Sequence, residues 1–527
     1  MKPNIVILLF VVCVLCVARY SESARILAVV PTPSYSHQIP YRPLWRTLVK
    51  RGHDLVLVTP NPIENFTAPN FRQIDISKSY AVLRAIDFVQ LRFEGATWMD
   101  FVYDQLLDIS NEFSETVFNN TEMKELYAPN SNVKFDVVLV EFLFMPAIHA
   151  FAHRFNAPLI GLSSLGLCAV NEHALGGLVL SSHEYRWEME ANTGSNLPFW
   201  KRLKNFVNLW RSVYTLYREH FPKQQQIAEK YLGPLPSVLD ITKNMSIFFV
   251  NEPDVLTPAS PKLSNMFTFT SFHIDTNLKP LPKDLQKFMD SAKDGVIYFS
   301  LGSNARSSDL PIEVQRMFCE VFAKLPYKVV WKYEKELPGK PDNIYTGKWL
   351  PQQTILVHPN VKLFIYQGGL QSTEETVHAA VPIIGFPILA DQDYQIGRME
   401  ALGLGKRFDL PTVTKEELES AIREVITNKE YKERMLYTRT VLQDTPYDLV
   451  DNLVWWIEFV IRTKGAPHLR SNLAWQPWYQ RYDMDIVVFL TIVAFLIVSN
   501  VLNLIAKLIV YVYNRSQVST VVKQKVN

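Results

Sequence analysis

The chain reads as an α/β protein: two doubly wound, open parallel sheets facing a cleft, followed by one C-terminal transmembrane helix. Three observations predict this. Apolar runs of strand length alternate with helical stretches through the first half, the rhythm breaks at a proline-rich passage and restarts, and an uncharged segment spans 486–506. At 527 residues the chain is too long for a single core, and a formal net charge of +2 gives no reason to expect a nucleic-acid partner.

In chain order, MKPNIVILLFVVCVLCVARYSESARIL has one lysine, an apolar run from Ile5 to Val17 and small residues at Ser21 and Ser23. That is the pattern of a secretory signal peptide, expected over 1–23. The first domain, 24–270, opens with RILAVV, a helical stretch to Arg51-Gly52 and HDLVLVT, a βαβ unit with Gly52 just past the helix end. KFDVVLVE (134–141) and APLIGLSS continue the buried strands. From Leu165 to Leu239 the pattern loosens into an aromatic-rich region, expected to wall a pocket. The passage 256–286, LTPASPKLSNMFTFTSFHIDTNLKPLPKDLQ, reads as a linker.

The second domain, 271–470, carries GVIYFSLGS, a helix around 311–324, YKVVWKY, VKLFIY and VPIIGFP. It closes with a charged helical segment whose one apolar cluster, LVWWIEFVI, is interrupted by Glu458. A juxtamembrane stretch (471–485), a transmembrane helix (486–506) and a tail (507–527) follow. Asp483 and Asp485 precede the span while Lys507, Arg515, Lys523 and Lys525 lie beyond it, so the tail is expected in the cytosol. The last five residues, KQKVN, match the KxKxx form of an endoplasmic-reticulum retrieval signal, which puts both domains in the lumen. Asn65, Asn119 and Asn244 are then glycosylation acceptors, whereas Asn514 is not. Without Cys13 and Cys16, Cys168 and Cys319 make no disulfide framework; two buried thiols are expected over one bridge.

The chemistry concentrates at strand ends, where open parallel sheets hold ligands. VKLFIY runs into Gln367-Gly368-Gly369, and Ser372 with Glu375 has capping-box spacing, so a helix N-terminus is expected there as an anion site. VPIIGFP leads into Asp391-Gln392. Neither G-x-G-x-x-G nor G-x-x-x-x-G-K-[ST] occurs, which argues against dinucleotide and P-loop chemistry. His37, in PTPSYSHQ, and Glu141, ending FDVVLVE, fall at one sheet edge, where a carboxylate could orient an imidazole. His149 and His153 have i,i+4 spacing, but HAFAH lacks the HExxH glutamate and a third ligand, so no metal site is expected.

Taken in order, Trp349-Leu350-Pro351-Gln352, His358-Pro359, Gln367-Gly368-Gly369, Glu375, Pro382, Pro387 and Asp391-Gln392 closely resemble the signature of UDP-glycosyltransferases. In wording they look most like insect members of the membrane-bound UDP-glucuronosyltransferase and UDP-glucosyltransferase family. The resemblance implies a GT-B fold. It places Trp349 against uracil, Gln352 and Gln371 against the nucleotide, Glu375 on the ribose hydroxyls, Ser303, Gln367 and Gly369 on the diphosphate, and Asp391 with Gln392 on the sugar. His37 would be the general base and Glu141 its partner, where relatives carry aspartate. Gln367 stands for a usual histidine, Ala380 for a glycine and Gln395 for an asparagine. The implied reaction moves a hexose, by resemblance glucose, from a UDP-sugar to a hydroxyl of a small lipophilic alcohol or phenol with inversion, using no cofactor and no obligatory metal. A homo-oligomer is left open. The competing reading is a non-catalytic lumenal protein that keeps the nucleotide-sugar pocket.

Overall fold

Buried apolar runs in the first half pair into one parallel sheet. Its strands are β1 (Arg25–Val29), β2 (Asp54–Thr59), β3 (Phe71–Asp75), β4 (Val137–Glu141), β5 (Leu159–Ser163), β6 (Ile247–Asn251) and β7 (Met266–Phe269). A second sheet holds β8 (Val296–Ser300), β9 (Lys328–Lys332), β10 (Ile344–Gly347), β11 (Val361–Tyr366), β12 (Ile383–Gly385) and β13 (Gly405–Arg407). β4, β5, β6 and β8 are buried at every position, as strands covered on both faces must be. The computed structural model describes residues 23–179, 187 and 197–524.

The strand orders are β3-β2-β1-β4-β5-β6-β7 and β10-β9-β8-β11-β12-β13. Each order reverses beside its first strand, between β1 and β4 and between β8 and β11, which opens a crevice at the carboxyl ends of those strands. The two crevices carry the residues considered below. The passage 256–286 is not a linker throughout. Its MFTF segment pairs with β6 as the edge strand β7, and four residues are too few to announce a strand amid prolines.

Helices are numbered α1 (Tyr35–Gln38), α2 (Arg42–Lys50), α3 (Phe88–Phe93), α4 (Ala169–Ala174), α5 (Phe199–Thr215), α6 (Ile312–Ala323), α7 (Gln352–Leu356), α8 (Leu370–Ala379), α9 (Gln392–Ala401), α10 (Lys415–Thr427), α11 (Leu449–Arg462) and α12 (Met484–Gln524). Gly52, just past the end of α2, takes φ +91, the left-handed region an L-residue resists. The lobes interlock. Val89 of α3 enters the C-terminal lobe's core while Arg92 pairs with Asp393 at 3.0 Å and Asp409 at 2.9 Å. Tyr394 of α9 enters the core of the N-terminal lobe.

α11 crosses back to the first lobe, burying Leu453, Val454, Ile457 and Val460 in a core shared with Leu44 and Leu48 of α2. Each such side chain is worth about 1.5–3 kcal/mol on burial. Glu458, the charge that interrupts the apolar run, faces Arg51 at 3.2 Å and His53 at 3.3 Å. It is the partner of two basic groups, and the helix keeps its buried face.

Residues 472–527 form a separate unit. Met484–Ser516 within α12 is long and apolar enough to cross a membrane. The helix outruns the expected 486–506 span and continues to Gln524, through residues expected as tail. The signal-peptide residues 1–22, the end of the retrieval motif (525–527) and part of the aromatic-rich region (180–186 and 188–196) lie outside the described residues. Asn65, Asn119 and Asn244 are exposed. Cys168 and Cys319 are buried in different cores and form no disulfide with each other.

Candidate active site

In the N-terminal lobe the site is made of side chains. β1 and β4 are neighbours, with Val29 opposite Val140, so their exits lie side by side. His37 on α1 brings its Nδ1 to 3.2 Å from Oε1 of the fully buried Glu141. The other carboxylate oxygen accepts the Thr32 backbone N–H at 2.9 Å. A buried carboxylate must be partnered, and here an imidazole and an amide do so. α1 is held by Gln38, whose amide donates to the carbonyls of Val30 and Thr32 at 3.1 and 2.9 Å and accepts from Thr59 Oγ1 at 2.8 Å. The Tyr41 phenol nearby is held well above its ordinary acidity range by burial and then by the Glu141 charge. The His37 side chain stays 19 % exposed.

In the C-terminal lobe the site is largely backbone. Gly368 has φ +91, and a Cβ there would meet Ile396 at 2.5 Å and the Gln392 carbonyl at 2.9 Å, so only glycine fits. Gly369 is the N-cap of α8, whose first amides have no carbonyl one turn back. Ser372 and Glu375 are therefore not a capping box. The glycine pair starts the helix at Leu370, which leaves Ser372 inside the first turn, and S-x-x-E spacing is equally that of two residues on one helix face. Gln352 Nε2 donates to Ser372 Oγ at 2.8 Å and to Glu375 at 2.5 Å, and Gln353 donates to Glu375 at 3.0 Å. A capping box does form at Thr414 and Glu417 of α10. Burial holds Glu375 above the usual carboxylate range.

The remaining expected positions are spread around this turn. Ser303 is exposed on the loop after β8, and its neighbour Asn304 donates to Ser34 of the other lobe at 3.0 Å. Gln367 lies against Gly302, and its Oε1 is buried without a hydrogen-bond partner. Gln371 donates across the cleft to the Ser164 carbonyl at 2.9 Å. Trp349 is 63 % exposed, edge-to-face with Tyr35 of the other lobe at 5.6 Å. Asp391 is the N-cap residue of α9; burial pushes its carboxyl up to about 6, opposed by the nearby His37. Gln392 Oε1 accepts the amides of Ile388 and Leu389 at 2.9 and 3.1 Å, so that oxygen is already used to close its own loop.

Comparison with known proteins adds three findings. The family model described as UDP-glucoronosyl and UDP-glucosyl transferase matches residues 25–524. The chain is 31 % identical to UDP-glucosyltransferase 2 of Dactylopius coccus, covering 96 % of both chains, and 28 % identical to human UDP-glucuronosyltransferase 2B15, covering 89 % of this chain and 90 % of that one. Among solved structures, the glycosyltransferase of kitacinnamycin superposes with a TM-score of 0.56 at 20 % identity, covering 84 % of this chain and all of that one, which supports the GT-B fold.

The chain belongs to the UDP-glucoronosyl and UDP-glucosyl transferase family.

As a member of that family it is a UDP-glycosyltransferase, and its departures acquire structural meaning. Ala380 sits past the end of α8 at φ +53, where glycine is unstrained and alanine is not. Gln395 reaches back to Asp391 at 3.5 Å. His149 is buried against Thr242 Oγ1 at 2.7 Å while His153 is exposed, so the HAFAH pair does not converge.

Three further residues escaped the sequence reading. Ser164, next after β5, places its Oγ 2.9 Å from His37 Nδ1. Glu374, fully buried on α8, accepts Thr270 Oγ1 at 2.6 Å, the Ser271 amide at 2.8 Å and Asn251 Nδ2 at 3.2 Å, pinning the C-terminal lobe to the ends of β6 and β7. His273 stands 3.5 Å from both Glu374 and Glu375 and donates to the Gln371 carbonyl at 3.0 Å. Burial raises Glu374 to about 7 and lowers His273. Nothing in STEETV distinguishes Glu374 from a solvent-facing glutamate.

An apolar pocket lies in the N-terminal lobe, lined by Met99, Val102, Phe144, Cys168, Leu209 and Leu216. Two π-helical turns, Val102–Leu106 and Leu216–His220, contribute to it, a geometry that recurs at functional sites. Phe144 follows Glu141 by three residues and Cys168 follows Ser164 by four, so the pocket shares a sheet edge with the His37 pair.

Proposed function

We propose that this glycosyltransferase is inverting and moves glucose from UDP-glucose to a hydroxyl of a small lipophilic alcohol or phenol, with His37 as general base. The observation that carries the reading is the 3.2 Å pairing of His37 with the buried Glu141 at the β1–β4 switch point. With the Nδ1 proton directed to Glu141, Nε2 is the basic nitrogen. It takes the acceptor's proton as the acceptor oxygen attacks the anomeric carbon. The bond from that carbon to the diphosphate oxygen breaks on the opposite face, so configuration inverts and UDP leaves carrying the negative charge. Charge on the leaving group would meet the first amides of α8, Gly369 and Ser303; such preorganised donors stabilise developing charge without reorganising.

Gln367 brings no positive charge to that step, and its amide would donate to a phosphate oxygen. Trp349 offers an exposed face to uracil, Gln352 and Gln371 would meet the nucleotide, and Glu375 would exchange the Gln352 and Gln353 amides for ribose hydroxyls. Asp391 and the Gln392 amide nitrogen would hold the sugar. At about 20 Å³ the cavity beside Phe144 and Leu216 holds no more than a water, so the acceptor class rests on the family resemblance alone. No cofactor and no metal enters these steps. The apolar helix 484–516 suits a membrane anchor, and Asp483 and Asp485 around its start against Lys507 and Arg515 towards its far end favour catalytic lobes on the non-cytosolic side.

The test is to incubate the full chain with radiolabelled UDP-glucose or UDP-glucuronate and a panel of phenols and lipophilic alcohols. Glucoside of inverted configuration is the expected product. Glucuronide in its place overturns the donor assignment, and nucleotide binding without product on any acceptor returns the non-catalytic reading.

A further inference from the structure

Two buried residues beside the α8 turn, Glu374 and His273, have no part in the transfer steps, and both tie α8 to the segment that joins the lobes. The chain leaves the first sheet at β7 and reaches the second at β8, so residues 270–295 are that segment. Its first residues are bonded to α7 and α8 at nearly every step. Thr270 Oγ1 and the Ser271 amide donate to Glu374, and the His273 ring donates to the Gln371 carbonyl. Gln353 Nε2 donates to the His273 carbonyl at 2.9 Å, and the Asp275 amide donates to Gln353 Oε1 at 2.9 Å. Phe272, between these contacts, is buried in the core of the N-terminal lobe.

Ser271 takes φ +60, the left-handed region that residues other than glycine resist. Such strain persists only where the surroundings over-determine it, and it gathers at functional sites. Here Glu374 holds it, by accepting the Ser271 amide itself. A segment that merely joined two sheets would relax at Ser271. What the strained turn delivers is the buried His273 ring, with Nδ1 3.5 Å from Oε2 of Glu374 and Nε2 3.5 Å from Oε1 of Glu375.

Glu375 needs such a neighbour. A carboxylate accepts from two hydroxyls at once only when ionised, and burial, opposed first by His273, holds Glu375 above the usual carboxylate range. Gln352 and Gln353, which now donate to Glu375, are the groups a ribose would displace. After giving up Glu375, Gln353 still has its two bonds to the joining segment, so His273 stays against Oε1. We propose that His273 is a positioning residue for the nucleotide, held behind Glu375 by the segment between the lobes so that the carboxylate stays placed for the paired hydroxyls of a ribose. The site then takes a ribonucleoside diphosphate in preference to its 2′-deoxy form. This rests on the assignment of Glu375 to the ribose.

The test is equilibrium binding of UDP and of 2′-deoxy-UDP to the full chain by calorimetry, with no sugar donor or acceptor present. The unaltered chain should bind the deoxynucleotide about 10–100-fold more weakly, as expected for a lost hydrogen bond to a charged group. His273→Ala removes the imidazole, and Gln353→Leu unties the segment that carries it. Either change should cut the ratio to about threefold or less in a chain that still melts cooperatively. A reduced ratio at either position carries the proposal even if the other variant misfolds. Variants that keep the full ratio overturn it, whether both nucleotides bind as before or both weaken equally, as a merely structural role would have them do. Glu375→Gln tests the ribose assignment separately and should lose the discrimination. If that variant keeps it, or if the unaltered chain binds both nucleotides alike, the ribose assignment fails and the role of His273 falls with it.

Discussion

Each lobe places its half of the site where its strand order reverses, but the two halves use different materials. In the N-terminal lobe the proposed working groups are side chains, His37 and Glu141, fixed before any ligand arrives by Thr32, Gln38 and Ser164. In the C-terminal lobe they are mainly backbone, the Gly368–Gly369 turn and the first amides of α8, surrounded by side chains bonded to one another. A proton acceptor needs one atom of the right basicity, and a side chain can be tuned for that. A diphosphate needs several donors converging from one direction, which a helix start supplies at no side-chain cost.

The largest effect should come from removing the side-chain half. His37→Ala is expected to lower kcat by about 10²–10⁴-fold while UDP affinity stays within about twofold. Retention of most turnover would remove the base assignment, and a parallel loss of UDP binding would mean the halves are not separable. Breaking the backbone half calls for Gly368→Ala. The new Cβ meets the Gln392 carbonyl and Ile396, and the expected cost is about 2–4 kcal/mol in stability with a raised KM for donor. A variant of unchanged melting temperature would show that the turn can yield.

Between the halves sits Glu374, and its titration reads out their junction. Unfolded, this glutamate loses its proton near 4.5; folded, burial holds the proton to about 7, with His273 and Glu375 as ionisable neighbours. Over that interval the folded state binds more protons than the unfolded one, so stability should fall as pH rises, by about 3 kcal/mol in all. Glu374→Gln should flatten the slope in denaturant unfolding measured across that range; an unchanged slope would assign it to other groups. The smallest change concerns the end of α8. Ala380→Gly relieves a left-handed residue at φ +53 and should add about 0.5–1 kcal/mol, visible as a small rise in melting temperature without change in kcat. A loss of stability there would mean that the Ala380 side chain packs better than its backbone is strained.

The same contrast governs what could be read from the sequence. The glycine turn, its place after a buried strand and the histidine after the first strand are local patterns, so both halves were legible, as were most buried strands. β3, β6, β7, β10 and β13 went unread; strands of three to five residues carry almost no period of their own and are found only where a flanking turn or motif marks them. The capping box at Ser372 was misread because its spacing is also that of one helix face, and two glycines moved the helix start. Ser164, His273 and Glu374 were invisible for a different reason. Their meaning lies in contacts between distant parts of the chain, such as Glu374 with Thr270 and Asn251, and no neighbour in sequence announces them.

The return of α11 settles which part of the enzyme is mechanically fixed. After the second sheet the chain comes home to the first, where Ser264 and Asn244 also hold Leu469 and Arg470 in the last residues before Ser471. Whatever grips the polypeptide beyond that point grips the N-terminal lobe. If the lobes swing apart to exchange UDP for a fresh donor, the N-terminal lobe is the stationary frame and the C-terminal lobe is the door.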